Sequence, residues 1–220
     1  RQPDGTYAPT DEPPSAAFVN QRLAAVSAWY RYLTQNEVAD RNPALLADRP
    51  KRKTASPFPA LTEAEAGQLL DYLDSRAQRL DTEAAYRDAA LIRLMIDTGL
   101  RTEAALSARF DNLATEQGHQ ILRYTKKGGA EDFVPLAPHV LALLVRYWDR
   151  RAQREGQSRN ELRGWLFAST PHPHQPQHQG GNRLRQRDLQ RILRNLARQA
   201  GLACADRITP HSLRRTAATM

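Results

Sequence analysis

From Ser15 onward the apolar residues Val19, Leu23, Val26, Tyr30 and Leu33 recur at spacings of four and three, one stripe of an amphipathic helix ending near Asn36. Ser15 is placed to cap that helix, and Asn42-Pro43 closes the segment with a turn. Residues Arg1 to Pro14 carry Pro, Asp and Thr without periodicity and read as an extended or disordered lead-in. Residues 1–48 are too few to bury a core alone and read as the tail of a larger helical unit. Residues 49–59, which mix prolines with the basic run Lys51, Arg52 and Lys53, read as an exposed linker that can lie along a phosphate backbone.

Residues 60–220 have the patterning of a mainly helical domain with a small β element. Thr62-Glu63-Ala64-Glu65 has the form of a capping box, and Ala66, Leu69, Leu70, Leu73, Ala77 and Leu80 continue a helical stripe. Thr82 to Asp97 is apolar on nearly all sides, which predicts the central core helix, and Gly99 ends it. His119 to Thr125 and Phe133 to Leu136 predict two strands of a hairpin, joined by the basic, glycine-containing tip Lys126-Lys127-Gly128-Gly129-Ala130. Pro138 starts a helix carrying Val140, Leu141, Leu144, Val145 and Trp148. After a polar loop over Ser169 to Gly181, the residues Leu189, Ile192, Leu193, Leu196 and Ala200 mark another helix, closed by Gly201. Thr209-Pro210 opens a last helix.

The chain of 220 residues is long for one domain, which fits one full domain with part of another. Its 32 Lys+Arg against 24 Asp+Glu, a formal charge of +8 and a pI near 10.0 favour polyanionic partners, with nucleic acid first among them. The distribution sharpens this: Asn182 to Arg215 holds nine Arg, among them Arg183, Arg185, Arg187 and Arg215, against two Asp and no Glu or Lys. Guanidinium forks match phosphate oxygens in pairs. The single cysteine, Cys204, fits a reducing compartment such as the cytoplasm and reads as an inert core residue. No stretch approaches the roughly 20 apolar residues of a membrane span, so no membrane partner is expected. The first residue is Arg1 and the last residues lack a helix stop signal, so both ends read as cut.

Four side chains have the chemistry to act on a phosphodiester. Under attack, a phosphodiester gains negative charge on its non-bridging oxygens, which fixed guanidinium groups stabilise without a metal ion. Arg101 follows the Gly99 break, and Arg214 lies in the first turns after Pro210, where backbone donors also favour anions. His211 stands three residues before Arg214 on the same helical face and exchanges protons near neutral pH. Lys127, at the hairpin tip, is suited to protonating a leaving oxygen. His172, His174 and His178 invite a metal reading, but a Pro- and Gln-rich loop rarely supplies the fixed geometry and supporting shell a metal needs. No metal or cofactor is expected.

Several separated segments together resemble the tyrosine recombinases, or phage integrase family: "TGLR" after an apolar helix, "KKGGAEDFVPL" in a hairpin, "LF" before a polar loop, and "ITPHSLRRTAAT". "VNQRLAAVSAWYRYLTQNEVADRNPA" is similar to the closing helix of that family's N-terminal core-binding, SAM-like domain, and "LTEAEAGQLL" to the opening of its catalytic domain. The resemblance implies a clamp around duplex DNA, with a mostly helical catalytic domain bearing a small antiparallel sheet. It makes Arg101 and Arg214 the two catalytic arginines, His211 the histidine of the H-x-x-R motif and Lys127 the hairpin lysine. Lys126 competes for that last role, but counting back from Val134-Pro135-Leu136 favours Lys127. The implied reaction is attack by a tyrosine on the scissile phosphate, giving a 3′-phosphotyrosyl link and a free 5′-hydroxyl, within a synapse formed by self-association on DNA.

Departures from the family pattern accompany the matches. The acidic residue usual three places after the first arginine is Ala104, with Glu103 beside it, and the basic residue usual before Val-Pro-Leu is Asp132, which weakens phosphate attraction there. All 7 tyrosines precede His211, so the family's second His or Trp and its nucleophile are expected past Met220. The leading expectation is a fragment of a site-specific recombinase. A non-catalytic DNA-binding accessory protein or decayed recombinase is a competing reading, and a type IB topoisomerase a weaker one.

Overall fold

A computed structural model of the chain describes residues 13–51, 58, 60–126, 128–171 and 179–219. The chain divides into two compact units, residues 1–56 and 57–220.

The first unit holds helix α1 (Ala16–Gln35), whose Ser15 cap accepts from the Phe18 N–H at 3.2 Å. A short 3-10 turn, Pro43–Leu45, follows, with Asn42 as its cap. The Asn42 amide donates at 3.0 Å to the Ser27 carbonyl, and Ser27 is the only buried residue of α1. The expected apolar stripe is therefore only half covered: Val26 is exposed, as are Phe18, Trp29 and Tyr32 outside the stripe.

The second unit is built around α3 (Glu83–Thr98), which buries twelve of its 16 residues, as its all-round apolar sequence predicts. It packs against α2 (Glu63–Leu80), α5 (Pro138–Glu155) and α7 (Pro210–Ala217). The Thr62 capping box forms: the Thr62 hydroxyl accepts from the Glu65 N–H at 3.2 Å, and Glu65 accepts from the Thr62 N–H at 2.9 Å. Among the described residues, the remaining α-helices are α4 (Thr102–Leu106) and α6 (Gln186–Gln199).

Three antiparallel strands form one sheet in the order β1-β2-β3, with β1 at Leu113–Glu116, β2 at His119–Thr125 and β3 at Glu131–Pro135. The sequence predicts the β2-β3 hairpin and misses β1, a four-residue strand with no alternating pattern of its own. Gln117 and Gly118, both at positive φ, turn β1 into β2. The Leu166-Phe167 pair is buried in the core. The segment around it is pinned by the Tyr147 hydroxyl, which accepts from the Ala168 N–H at 3.0 Å, and by buried Arg87 and Arg151, which donate to the Ala168 and Trp165 carbonyls. Cys204 is buried; burial, followed by its contact with Glu65, pushes the thiol's pKa up.

Candidate active site

The site begins where α3 stops. Gly99 takes φ +60°, a conformation that L-residues with a Cβ adopt at a cost, and this left-handed residue turns the chain into Leu100-Arg101. A Cβ at Gly99 would meet the Ala217 Cβ at 3.2 Å, so the turn sits directly against α7. Leu100 is buried beneath it, and Arg101, the N-cap of α4, is left exposed with its carbonyl accepting from Ala105.

α7 is held from below and presents its other face. Thr209 caps it, accepting from the Ser212 N–H at 3.2 Å, and Pro210 occupies the first turn. Ser212, Leu213 and Thr216 are fully buried. The Thr216 hydroxyl accepts from the Leu61 N–H at 2.9 Å and donates to the Ser212 carbonyl at 3.0 Å, so its burial leaves nothing unpaired. With that face fixed, His211 and Arg214 stand one turn apart on the other. The Arg214 guanidinium donates to the Gly99 carbonyl, which orients it toward the TGLR turn. Gln190 on α6 donates at 2.7 Å to the Ile208 carbonyl and so fixes the approach to α7.

Arg101, His211 and Arg214 line one concavity of about 500 Å³, together with Phe58, Thr102, Gln186, Gln190, Thr209 and Pro210. Two guanidinium groups, an imidazole and the N-terminus of an eight-residue helix thus face one space. That set can hold an oxyanion and stabilise charge developing on it. Sequence reasoning passed over Gln186 and Gln190; their spacing of four on a helix otherwise rich in arginine is the signal that places both on one face. Lys127 lies outside the described residues, as do Arg52 and Lys53 of the basic run, whereas Lys51 is exposed in the first unit. His172, His174 and His178 are outside them too.

A larger groove of about 1180 Å³ adjoins the concavity and shares Gln186 with it. Arg183, Arg185, Arg187 and Arg191 line it, and Arg185 and Arg187 are exposed at the start of α6. Arg183 differs from them. Its guanidinium donates to the Leu106 carbonyl at 3.1 Å, pairs with Glu103 at 2.5 Å and lies 5.5 Å from the centre of the Trp165 ring, whose other cationic neighbour is Arg109 at 4.9 Å. Arg183 thus ties α4 to the approach of α6. Arg215 is also engaged, donating at 2.9 Å to the Phe58 carbonyl.

On the hairpin, Lys126 pairs with Asp132 at 2.7 Å and the Tyr124 hydroxyl donates to the same Asp132 oxygen at 2.8 Å. The Lys126 bond, then the Tyr124 bond, hold the Asp132 carboxyl below its ordinary range. Burial first, then the bond to Asp132, raise the Tyr124 phenol, against which Lys126 and Arg214 both act.

Known proteins resemble this chain in sequence and fold. The family model described as "Phage integrase family" matches residues 59–220. The tyrosine recombinase XerD of Oceanobacillus iheyensis is 25% identical over 213 residues, covering 97% of this chain and 65% of that relative. The tyrosine recombinase XerD of Pseudomonas putida is 30% identical over 198 residues, covering 90% of this chain and 59% of that relative. Among solved structures, XerH site-specific recombinase bound to palindromic difH substrate in a post-cleavage complex superposes with a TM-score of 0.57 at 22% identity, covering 76% of this chain and 44% of that one. A lambda integrase fragment bound as a dimer to a core site gives a TM-score of 0.58 at 17% identity, covering 93% and 66%. These two structural likenesses are of fold. With a mainly helical domain, a three-stranded antiparallel sheet and a family match over most of its length, the chain belongs to the phage integrase family of tyrosine recombinases.

Proposed function

We propose that the protein is a site-specific DNA recombinase that breaks and rejoins duplex DNA through a 3′-phosphotyrosyl intermediate. The observation that carries the reading is the convergence of Arg101, His211 and Arg214, from two distant segments, on one concavity. In this reading Arg101 and Arg214 hold the non-bridging oxygens of the scissile phosphate, and His211 shares a proton with an oxygen of the pentavalent phosphate. Lys127 protonates the departing 5′-oxygen, and the resulting 5′-hydroxyl attacks the phosphotyrosyl link of a partner strand. Arg185, Arg187 and Arg215, with Lys51, Arg52 and Lys53, supply phosphate contacts along the duplex. The protein self-associates on DNA and works in the cytoplasm, and no metal or cofactor takes part.

In this reading the nucleophile is not among the 7 tyrosines of this chain, all of which precede His211; among the described residues no tyrosine lines the concavity. A nicked suicide substrate that traps the covalent intermediate tests this. A form of the protein extended to a family tyrosine is expected to give a protein-DNA adduct, and the 220-residue chain none. An adduct with the chain alone contradicts the assignment of the nucleophile. The pairing of Lys126 with Asp132 favours a second reading, a DNA-binding accessory protein without catalysis. Absence of adduct from the extended form on its own recombination site supports that reading instead.

A further inference from the structure

Lys126 is one of two adjacent lysines at the hairpin tip, and both have the chemistry to meet a phosphate. In the fold Lys126 pairs with a carboxylate of the hairpin itself. Tyr124 and Asp132 are direct cross-strand partners in the β2-β3 ladder. Lys126 stands two residues beyond Tyr124, so both side chains leave the same face of the hairpin. They converge on a single oxygen, Oδ2 of Asp132, at 2.8 and 2.7 Å. The backbone around Lys126 is fixed as well: its N–H donates to the Ala130 carbonyl at 2.7 Å and its carbonyl accepts from the Gly129 N–H at 3.0 Å.

We propose that Asp132 is a positioning residue that holds Lys126 on the hairpin and keeps it off the DNA backbone. This rests on the DNA-acting reading above. An exposed ion pair by itself is weak and a phosphate competes for the ammonium. Here the competition is unequal, because a phosphate that took Lys126 would leave the Asp132 carboxylate unpaired beside its own negative charge. Tyr124 adds a second bond that keeps the carboxylate in place. The Asp132 bond also raises the Lys126 ammonium above the usual lysine range, which makes it a poorer proton donor to a leaving oxygen. Lys126 therefore contributes to the shape of the tip, and Asp132 sets which hairpin cation takes part in DNA contact.

Binding of the chain to a linear duplex, followed by fluorescence anisotropy across a range of salt concentrations, tests this, because each lysine-phosphate contact adds about 0.9 to the slope of log affinity against log salt. Asp132→Asn keeps an acceptor for Tyr124 and removes the charge, and is expected to steepen the slope by about 0.9. Lys126→Ala is expected to leave the slope of the unaltered chain unchanged, and the double variant to match Lys126→Ala. An unchanged slope in Asp132→Asn, or a shallower one in Lys126→Ala, overturns the inference while the DNA-acting reading stands. Absence of duplex binding by the unaltered chain at every salt concentration overturns that reading and this inference with it.

Discussion

The guanidinium of Arg214 donates to the carbonyl oxygen of Gly99 across a sequence separation of 115 residues. Gly99 ends α3, starts the turn that exposes Arg101, and touches α7 at Ala217. One glycine therefore sets the geometry between the two arginines, and its left-handed φ is a condition of the site as well as of the fold.

Gly99→Ala places a Cβ both in an unfavourable backbone region and against Ala217. A loss of about 1 to 2 kcal/mol is expected from the backbone alone, read as a lower urea midpoint at unchanged m-value. Stability equal to that of the unaltered chain would show that α7 is not seated on the turn as described.

Arg183, itself partly exposed, pairs with exposed Glu103 and donates to the Leu106 carbonyl and so braces α4, whereas Arg187 is exposed at the start of α6. Arg187→Ala is expected to make the salt dependence of duplex binding shallower by about 0.9, and Arg183→Ala to leave it unchanged while lowering thermal stability. A shallower slope in Arg183→Ala would show that this residue contacts DNA as well.

Local rules made most helices legible, because each start and stop is written within a few residues: the Thr62 capping box, the Gly99 break, and Thr209-Pro210 before α7. The pairing of Arg101 with His211 and Arg214 in one site was legible only through the family resemblance, since no local pattern brings distant segments together. What escaped the sequence depends on tertiary contact. Arg183 reads as one more guanidinium in a basic run, and only folding shows that Glu103 and Leu106, some 80 residues earlier, already engage it. Asp132 reads as a lost phosphate contact, and folding shows the cation it holds.

The Thr62 capping box carries a pH signature. The bond from the Thr62 backbone N–H is the leading influence lowering the Glu65 carboxyl below its ordinary range. A carboxylate whose folded pKa is depressed stabilises the fold above its unfolded pKa, and that contribution is lost as pH falls through the folded value. Glu65→Gln is thus expected to be less stable than the unaltered chain at neutral pH, with the difference shrinking as acid is added. Thr62→Ala, which removes the cap itself, should cost about 1 kcal/mol. Urea melts at a series of pH values check both, and a pH-independent gap for Glu65→Gln would contradict the role given to its charge.

In the proposed reaction Arg101 and Arg214 hold the same phosphate. A double-mutant cycle on the rate of adduct formation, in a form carrying a family tyrosine, measures this directly. Each single alanine variant is expected to slow the reaction by about 10²- to 10³-fold, as loss of one preorganised donor does. The double variant should be slowed by much less than the product of the two, because residues that act as a unit are strongly non-additive. Independent, multiplicative losses would mean that the two arginines serve different groups, and would contradict the shared site.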